Sequence, residues 1–327
     1  MTKQNRPRPR AVITGATGVI GRALLQKCLD EEMEVLALVH PGSVRAAAIP
    51  PHPLLTVQEA GLEEYGALRR GEMGGSNYDF FFHLAWRGTF GTARDDMALQ
   101  TENIAASLEA VRLAKALGCR AFVGAGSQAE YGRTDGVLRP ETPAFPENGY
   151  GMAKLCAGQM TRRLAASLGL RHIWVRVLSV YGPHDGEKTL ISSAIRAMMA
   201  GEETAFTPGG QLWDYLYSGD AARAFLLAAQ KGRDGAVYCL GGGEARLLSE
   251  YIRIIAQETG YQGEIGFGRL AYAPGQVMRL QADLSALTAD TGFMPKTEFR
   301  EGIRRTIAAM RQEGNGGVAL LPDTGRS

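Results

Sequence analysis

Tyr150 and Lys154 stand four residues apart in Tyr150-Gly151-Met152-Ala153-Lys154, a spacing that puts both side chains on one face of a helix. A nearby ammonium stabilises phenolate, which brings a phenol with an ordinary pKa of about 10 within reach of proton transfer near neutrality. Upstream, Gly126-Ser127-Gln128-Ala129-Glu130-Tyr131-Gly132 places a hydroxyl at the end of an expected strand. Open α/β sheets hold their ligands at such C-terminal strand ends. Ser127, Tyr150 and Lys154 are therefore the candidate catalytic residues.

A second cluster reads as a phosphate cradle. Gly15-Ala16-Thr17-Gly18-Val19-Ile20-Gly21 follows the first apolar run and opens a helix carrying Ile20, Leu24 and Cys28. Glycines spaced in this way permit a tight turn, close approach of a pyrophosphate to the backbone, and close packing of helix on strand. Gly15, Thr17, Gly18, Val19, Ile20 and Gly21 are thus expected to bind a dinucleotide. Sites that prefer NAD usually carry a carboxylate at the end of the second strand. Here the chain reads Val39-His40-Pro41-Gly42-Ser43, with Arg45 close behind, and no carboxylate is expected to reach this region. His40 and Arg45 suit a 2′-phosphate, so NADP is expected ahead of NAD; the alternative is that both are exposed loop residues.

The elements that must position these groups alternate. Apolar runs at 11–14, 35–40, 54–58, 79–84, 121–126 and 172–177 are separated by helix-period segments, one of which aligns Ile104, Leu108, Val111 and Ala114. Strands alternating with helices imply parallel βαβ units and an α/β, doubly wound Rossmann sheet. Strands buried on both faces account for the unbroken run Phe80-Phe81-Phe82. After Tyr181 glycine and proline punctuation increases, while helical patterns persist at 190–200, 221–230 and 248–259. The expected division is a dinucleotide-binding domain over 10–178, with 211–240 returning to it. A smaller C-terminal substrate-binding lobe takes 179–210 and 241–312, and 1–9 and 313–327 are flexible tails. Lys3, Arg6, Arg8 and Arg10 make the first ten residues a solvated basic arm.

Composition narrows the classes. In 327 residues, 36 Lys+Arg nearly cancel 34 Asp+Glu and 45% are hydrophobic, the profile of an ordinary globular protein and not of a dedicated nucleic-acid binder. No apolar run has membrane-spanning length. Cys28, Cys119, Cys156 and Cys239 show no CxxC spacing, and the histidines show no metal spacing, so no metal is expected and free thiols point to a cytoplasmic protein. His83 reads as a packed residue near the cofactor, Met198-Met199 as core, and Arg69-Arg70 as a solvated face.

Over roughly residues 10–310 the chain resembles the extended short-chain dehydrogenase/reductase family, the group of nucleotide-sugar epimerases, dehydratases and ketoreductases. The resemblance rests on the glycine turn, His83-Leu84-Ala85, Ser127 before Tyr131-Gly132, and the Tyr150/Lys154 pair. It continues with Arg176 leading to Val180-Tyr181-Gly182-Pro183, and Trp213-Asp214-Tyr215 followed by Asp220. It implies a sugar nucleotide in the cleft between two lobes; a homodimer is a separate expectation. Tyr150 would exchange a proton with a substrate hydroxyl, Ser127 would bond the same oxygen, and Lys154 would bind the nicotinamide ribose. Leu84 and Ala85 would line the cofactor. Asn103 either supports the site or lies on a helix surface.

Departures from the family narrow the chemistry. Dehydratases carry an Asp-Glu pair after the catalytic hydroxyl residue, whereas this chain has Gln128-Ala129, which disfavours dehydration and leaves epimerisation and keto reduction open. Arginines that commonly hold the substrate diphosphate are replaced by Trp213 and Ala273, and a substrate-touching Asn by Ser179. Substrate-side candidates are then Gln128, Ser179, Trp213, Arg87 in the segment that runs to Arg94, and Arg279. Reduction of another small carbonyl substrate and a non-catalytic dinucleotide sensor are the alternative readings; retention of Ser127, Tyr150 and Lys154 argues against the sensor.

Overall fold

Eleven strands are present among the described residues: β1 (Arg10–Thr14), β2 (Glu34–Val39), β3 (Leu55–Glu59), β4 (Phe80–His83), β5 (Ala121–Ser127), β6 (Arg171–Val177), β7 (Ser179–Tyr181), β8 (Leu212–Trp213), β9 (Tyr215–Tyr217), β10 (Ala236–Leu240) and β11 (Arg246–Leu247). The helices are α1 (Val19–Asp30), α2 (Met97–Ala116), α3 (Gly149–Ser167), α4 (Leu190–Met199), α5 (Ser218–Lys231), α6 (Leu248–Thr259), α7 (Ser285–Thr291) and α8 (Phe299–Asn315). The computed structural model describes residues 8–68, 71 and 77–315, with side chains through 312. Arg69-Arg70, residues 1–7 and residues 316–327, on which part of the sequence reading falls, lie outside the described residues.

Seven strands form one parallel sheet in the order β10-β6-β5-β4-β1-β2-β3. From β1 the chain moves outward through β2 and β3, then crosses back to β4 on the other side of β1. That reversal opens a crevice at the C-terminal ends of β1 and β4, the place where doubly wound sheets bind ligands. Both faces are covered, which explains the triple phenylalanine of β4. Phe80 and Phe82 pack in the layer with Leu24 of α1 and Phe225 of α5, while Phe81 faces the layer with Ala110 of α2 and stacks on Phe122 at 5.7 Å. Only the edge strand β3 is largely exposed among β1 to β4.

The last third of the chain contributes to two layers. Ile195 of α4, Ile252 of α6 and Ile303 of α8 form a separate core with Tyr181. By contrast β10 joins the large sheet, and Leu287 of α7 and Phe293 pack in the same layer as α5. Two buried carboxylates tie these segments down. Asp214 accepts backbone N–H groups from Gly242, Gly243 (3.0 Å) and Ala282 (2.9 Å). Asp220 accepts those of Lys296 (3.0 Å) and Thr297 (2.7 Å).

Three local expectations are corrected. Arg10 is not part of a solvated arm: its N–H donates to Asp79 (2.8 Å) and its guanidinium pairs with Glu34 (2.9 Å), which draws it into β1. The C-terminal tail does not begin at 313, because α8 runs to Asn315, ending on the Gly-Asn pair that weak helix formers make. The buried stripe of α2 is rotated from the predicted one. Val111 and Ala114 are buried, but Ile104 and Leu108 are half-exposed and Gln100, Asn103, Ser107 and Ala110 take the inner face. Polar residues tolerate that position because each finds a hydrogen-bond partner in the loop beyond β4 or in His83.

Candidate active site

At the cofactor end, Gly15 adopts φ +70° and lies so close to the β4 exit that a Cβ there would meet the Ala85 nitrogen at 2.7 Å. A left-handed backbone and this close approach together require glycine. Gly18 differs. A Cβ there would meet nothing of the protein nearer than the Gly15 oxygen at 3.6 Å, so the space it leaves open faces outward. No side chain caps α1 and no acidic residue sits in its first turn. Thr17, Val19 and Ile20 border this uncapped terminus half-exposed, and Gly21 packs on the turn. An exposed, positively polarised helix start over a glycine turn fits a pyrophosphate. The opposite wall is fixed by Thr14, whose hydroxyl accepts the N–H groups of Leu84 and Ala85 at 3.2 Å each.

His83 lies beneath this wall. Its ring nitrogens contact Thr14 (3.1 Å) and Ser107 (3.0 Å), and burial pushes its pKa down to about 3, so it stays neutral and joins β1, β4 and α2. At the end of β2, His40 bonds the Pro41 carbonyl (2.7 Å) and Arg45 is exposed. The expectation that no carboxylate reaches this region is corrected: Glu59, at the end of β3 beside Val39, accepts the Gly42 N–H at 3.3 Å. A carboxylate arriving from the adjacent strand leaves no signal in the sequence at the end of β2.

The candidate reacting centre is built where β5 ends. Ser127 caps a 3₁₀ turn, its hydroxyl accepting the Ala129 N–H (3.1 Å) and its own N–H donating to Glu130 (2.8 Å). Helix α3 begins against this turn. Gly151 is what allows it, since a Cβ there would run into the Ala129 carbonyl, and Asn148 caps the helix through the Gly151 N–H (2.9 Å). Tyr150 thereby faces Ser127, whose hydroxyl acts to lower the pKa of the phenol. Burial nevertheless holds the phenol above its ordinary pKa, opposed by the Ser127 hydrogen bond and by Arg94, with Glu130 raising it further. Lys154, only 4% exposed, donates to the Ala125 carbonyl (2.8 Å), and burial lowers its pKa to about 7.

Three contributors were missed from sequence. Trp86 lies against both candidate groups: the Lys154 ammonium sits 3.7 Å from its ring centroid, and its ring meets that of Tyr150 edge to face at 6.2 Å. Gln100 holds this loop, accepting the Trp86 indole N–H (2.9 Å) and donating to the carbonyls of Gly88 (2.8 Å) and Ala93 (2.9 Å). Glu130 is fully buried under Ser127 and accepts from Trp174 (3.0 Å) and Arg176 (2.7 Å). Its place beside the named Ser127 and Arg176 was the available signal. Asn103 is a support and not a surface residue: buried, it exchanges hydrogen bonds with both backbone groups of Arg87 (3.0 and 2.9 Å).

The substrate-side candidates separate. Gln128 opens the turn after Ser127 and is half-exposed. Ser179, just beyond β6, and Trp213 bond one another through the indole N–H (2.8 Å). Arg87 is engaged by Glu102 (2.7 Å), so its charge is already met. Arg279 runs beside Leu212 of β8 and donates to the neutral Gln281 (2.7 Å), while its buried Nε has no partner.

Residues 11–241 match the NAD dependent epimerase/dehydratase family. The UDP-glucose 4-epimerase of Azospirillum brasilense is 26% identical over 94% of this chain and 93% of its own. A dTDP-glucose 4,6-dehydratase of Xanthomonas campestris is 27% identical, but the chain spans only about half of that relative (52%). Among solved structures, MoeE5 in complex with UDP-glucose and NAD superposes with a TM-score of 0.78 at 26% identity, covering 93% of this chain and 99% of that one. With the glycine turn, the sheet reversal and the Ser127/Tyr150/Lys154 cluster in the same order along the chain, the protein belongs to the NAD-dependent epimerase/dehydratase family of extended short-chain dehydrogenases/reductases.

Proposed function

We propose that the protein acts on a nucleotide-activated sugar, reducing a keto group or epimerising a carbinol centre with a nicotinamide dinucleotide. The observation that carries this reading is the convergence of Ser127, Tyr150 and Lys154 at the end of β5, beside the crevice between β1 and β4. Tyr150 removes the proton from a substrate hydroxyl, or returns it to a carbonyl oxygen. Ser127 hydrogen-bonds the same oxygen, so charge developing there meets a fixed donor. Lys154 binds the nicotinamide ribose and Gln128 touches the substrate. The nicotinamide, when bound, supplies the hydride acceptor and donor. Gln128 and Ala129 carry no acid or base, which leaves the site without the extra proton carrier that loss of water requires.

The uncapped start of α1 and the turn from Gly15 to Gly21 hold the pyrophosphate, with Leu84 and Ala85 opposite. Preference for NADP rests on Ser43 and the exposed Arg45; Glu59 acts against a 2′-phosphate at the same end, so the margin is small. Arg279 holds the substrate diphosphate. Its backbone pairs with Leu212 in the strand that also carries Trp213, and its neutral hydrogen-bond partner, Gln281, leaves the charge unneutralised. A second reading, reduction of a different small carbonyl compound, is favoured by the Trp213–Ser179 bond, which ties together two side chains on the substrate side. Calorimetry with UDP, CDP, GDP and dTDP separates the two. A nucleoside diphosphate that binds the native protein and weakens in Arg279→Ala supports the first; no binding at millimolar concentration installs the second.

No helix among the described residues is long and apolar enough to cross a membrane. A cytoplasmic, homodimeric enzyme is part of the same reading. It rests on four free cysteines and on the α2/α3 face, where the exposed Met160 lies beside Leu108 and Leu164.

A further inference from the structure

Arg94 is the cation closest to the ring of Tyr150. Its guanidinium carbon lies 4.6 Å from the ring centroid, against 5.8 Å for the Lys154 nitrogen. The residue belongs to a short 3₁₀ segment, Gly91–Asp95, pinned on three sides. Gln100 donates to the Ala93 carbonyl (2.9 Å), Asp95 accepts the first N–H of α3 from Gly149 (2.9 Å), and Asp96 caps α2 through Leu99 (3.1 Å). The fit to α3 is close: a Cβ on Gly149 would meet the Arg94 carbonyl at 3.0 Å. No carboxylate pairs with the guanidinium among the described residues; its hydrogen bond is a long one to the Thr89 carbonyl (3.5 Å). A cation held over a phenol face by a fixed backbone, with its charge unneutralised, attracts the ring's electron density and more strongly its phenolate.

The other groups facing Tyr150 set the balance. Trp86 and Ser127 are neutral, Glu130 is answered by Arg176, and Asp95 is occupied at the α3 terminus. Lys154 is driven by burial toward losing its proton near pH 7, whereas a guanidinium keeps its charge throughout the working range. We propose that Arg94 is a positioning residue for Tyr150, orienting the phenol ring and stabilising its phenolate alongside Lys154. This rests on Tyr150 being the proton-transfer residue.

The test is a spectrophotometric tyrosinate titration of the native protein and of Arg94→Gln, each subtracted from its Tyr150→Phe counterpart so that only Tyr150 is read. The titration of Tyr150 is expected to move upward by about one pH unit in Arg94→Gln and by less in Arg94→Lys, which keeps the charge without the planar fork. The alkaline-rising limb of kcat should move with it, while KM for the sugar changes less. Superimposable Tyr150 titrations in the native and Arg94→Gln proteins overturn the proposal, even if activity falls. The titration needs no turnover, so it stands apart from the reading of Tyr150 itself, which fails if Tyr150→Phe remains active.

Discussion

Tyr150→Phe removes one hydroxyl, and the expected result is loss of turnover with cofactor affinity within a few fold of native, measured by fluorescence titration. Lys154→Ala should damage both. Lys154 also carries a stability cost. Its pKa of about 7 in the folded chain lies below the ordinary 10.5, so between those values the unfolded chain binds more protons and stability rises with pH. The penalty is complete below about pH 7 and gone above the unfolded value. In the cofactor-free protein, Lys154→Met should therefore be more stable than native at pH 6 by about 2 kcal/mol, after allowing for the lost bond to Ala125, and the advantage should vanish toward pH 10.5. Equal thermal midpoints at pH 6 would sink this account of Lys154. Candidates of this kind were legible in the sequence because Tyr150 and Lys154 share a four-residue spacing and Ser127 ends an apolar run. Trp86 and Arg94 were not assigned to the phenol, because their approach depends on how a loop after β4 is tied to α2 by Gln100.

Elements decide whether those residues meet. The turn after β5 is stabilised from below by Glu130, which serves the Ser127 backbone, Trp174 and Arg176 together. Breaking a buried ion pair leaves one charge uncompensated, so Glu130→Gln should lower stability by about 3 kcal/mol and reduce kcat more than it raises KM. Replacing both partners, as Glu130→Met with Arg176→Met, should recover part of the stability and none of the activity, a comparison that denaturant unfolding and kinetics can make. If the single variant unfolds like native, Glu130 does not hold the turn. The helix and strand boundaries followed from apolar runs and periodicity, and α6 falls on 248–259 as read. The face of α2 did not follow, because a hydrophobic stripe counts apolar side chains and gives no weight to Gln100 and Asn103, buried through backbone groups of the preceding loop.

At the scale of the whole molecule, the reversal of strand order places a glycine turn, a loop and a catalytic helix from three separate stretches around one crevice. The parallel sheet was legible from its alternating pattern. The packing of α7 on the sheet side and the meeting of Ser179 with Trp213 were not, since they join segments through long-range contacts that leave no local period. The same interior sets the acid response. Burial lowers the pKa of His172 to about 4, below the ordinary 6.5, so its contribution is present above pH 6.5 and lost as pH falls toward 4. Asp185 and Asp214, both raised to about 6 by burial, act in the opposite sense between 6 and 3.8. Comparing His172→Phe with native isolates the histidine: the variant should gain relative stability by up to about 3 kcal/mol between pH 6.5 and 4. A difference that stays constant across that range would contradict a neutral, buried His172.

The central claim is that Tyr150 exchanges a proton at one carbon of a nucleotide-activated sugar while a nicotinamide dinucleotide exchanges hydride there. Proton NMR of UDP-, CDP-, GDP- and dTDP-sugars incubated with the protein and either dinucleotide tests it most directly. The account predicts that one sugar is altered at a single carbinol or keto carbon by the native protein and left untouched by Tyr150→Phe. Unchanged spectra for every nucleotide sugar with the native protein, or equal conversion by the Tyr150→Phe protein, would contradict it.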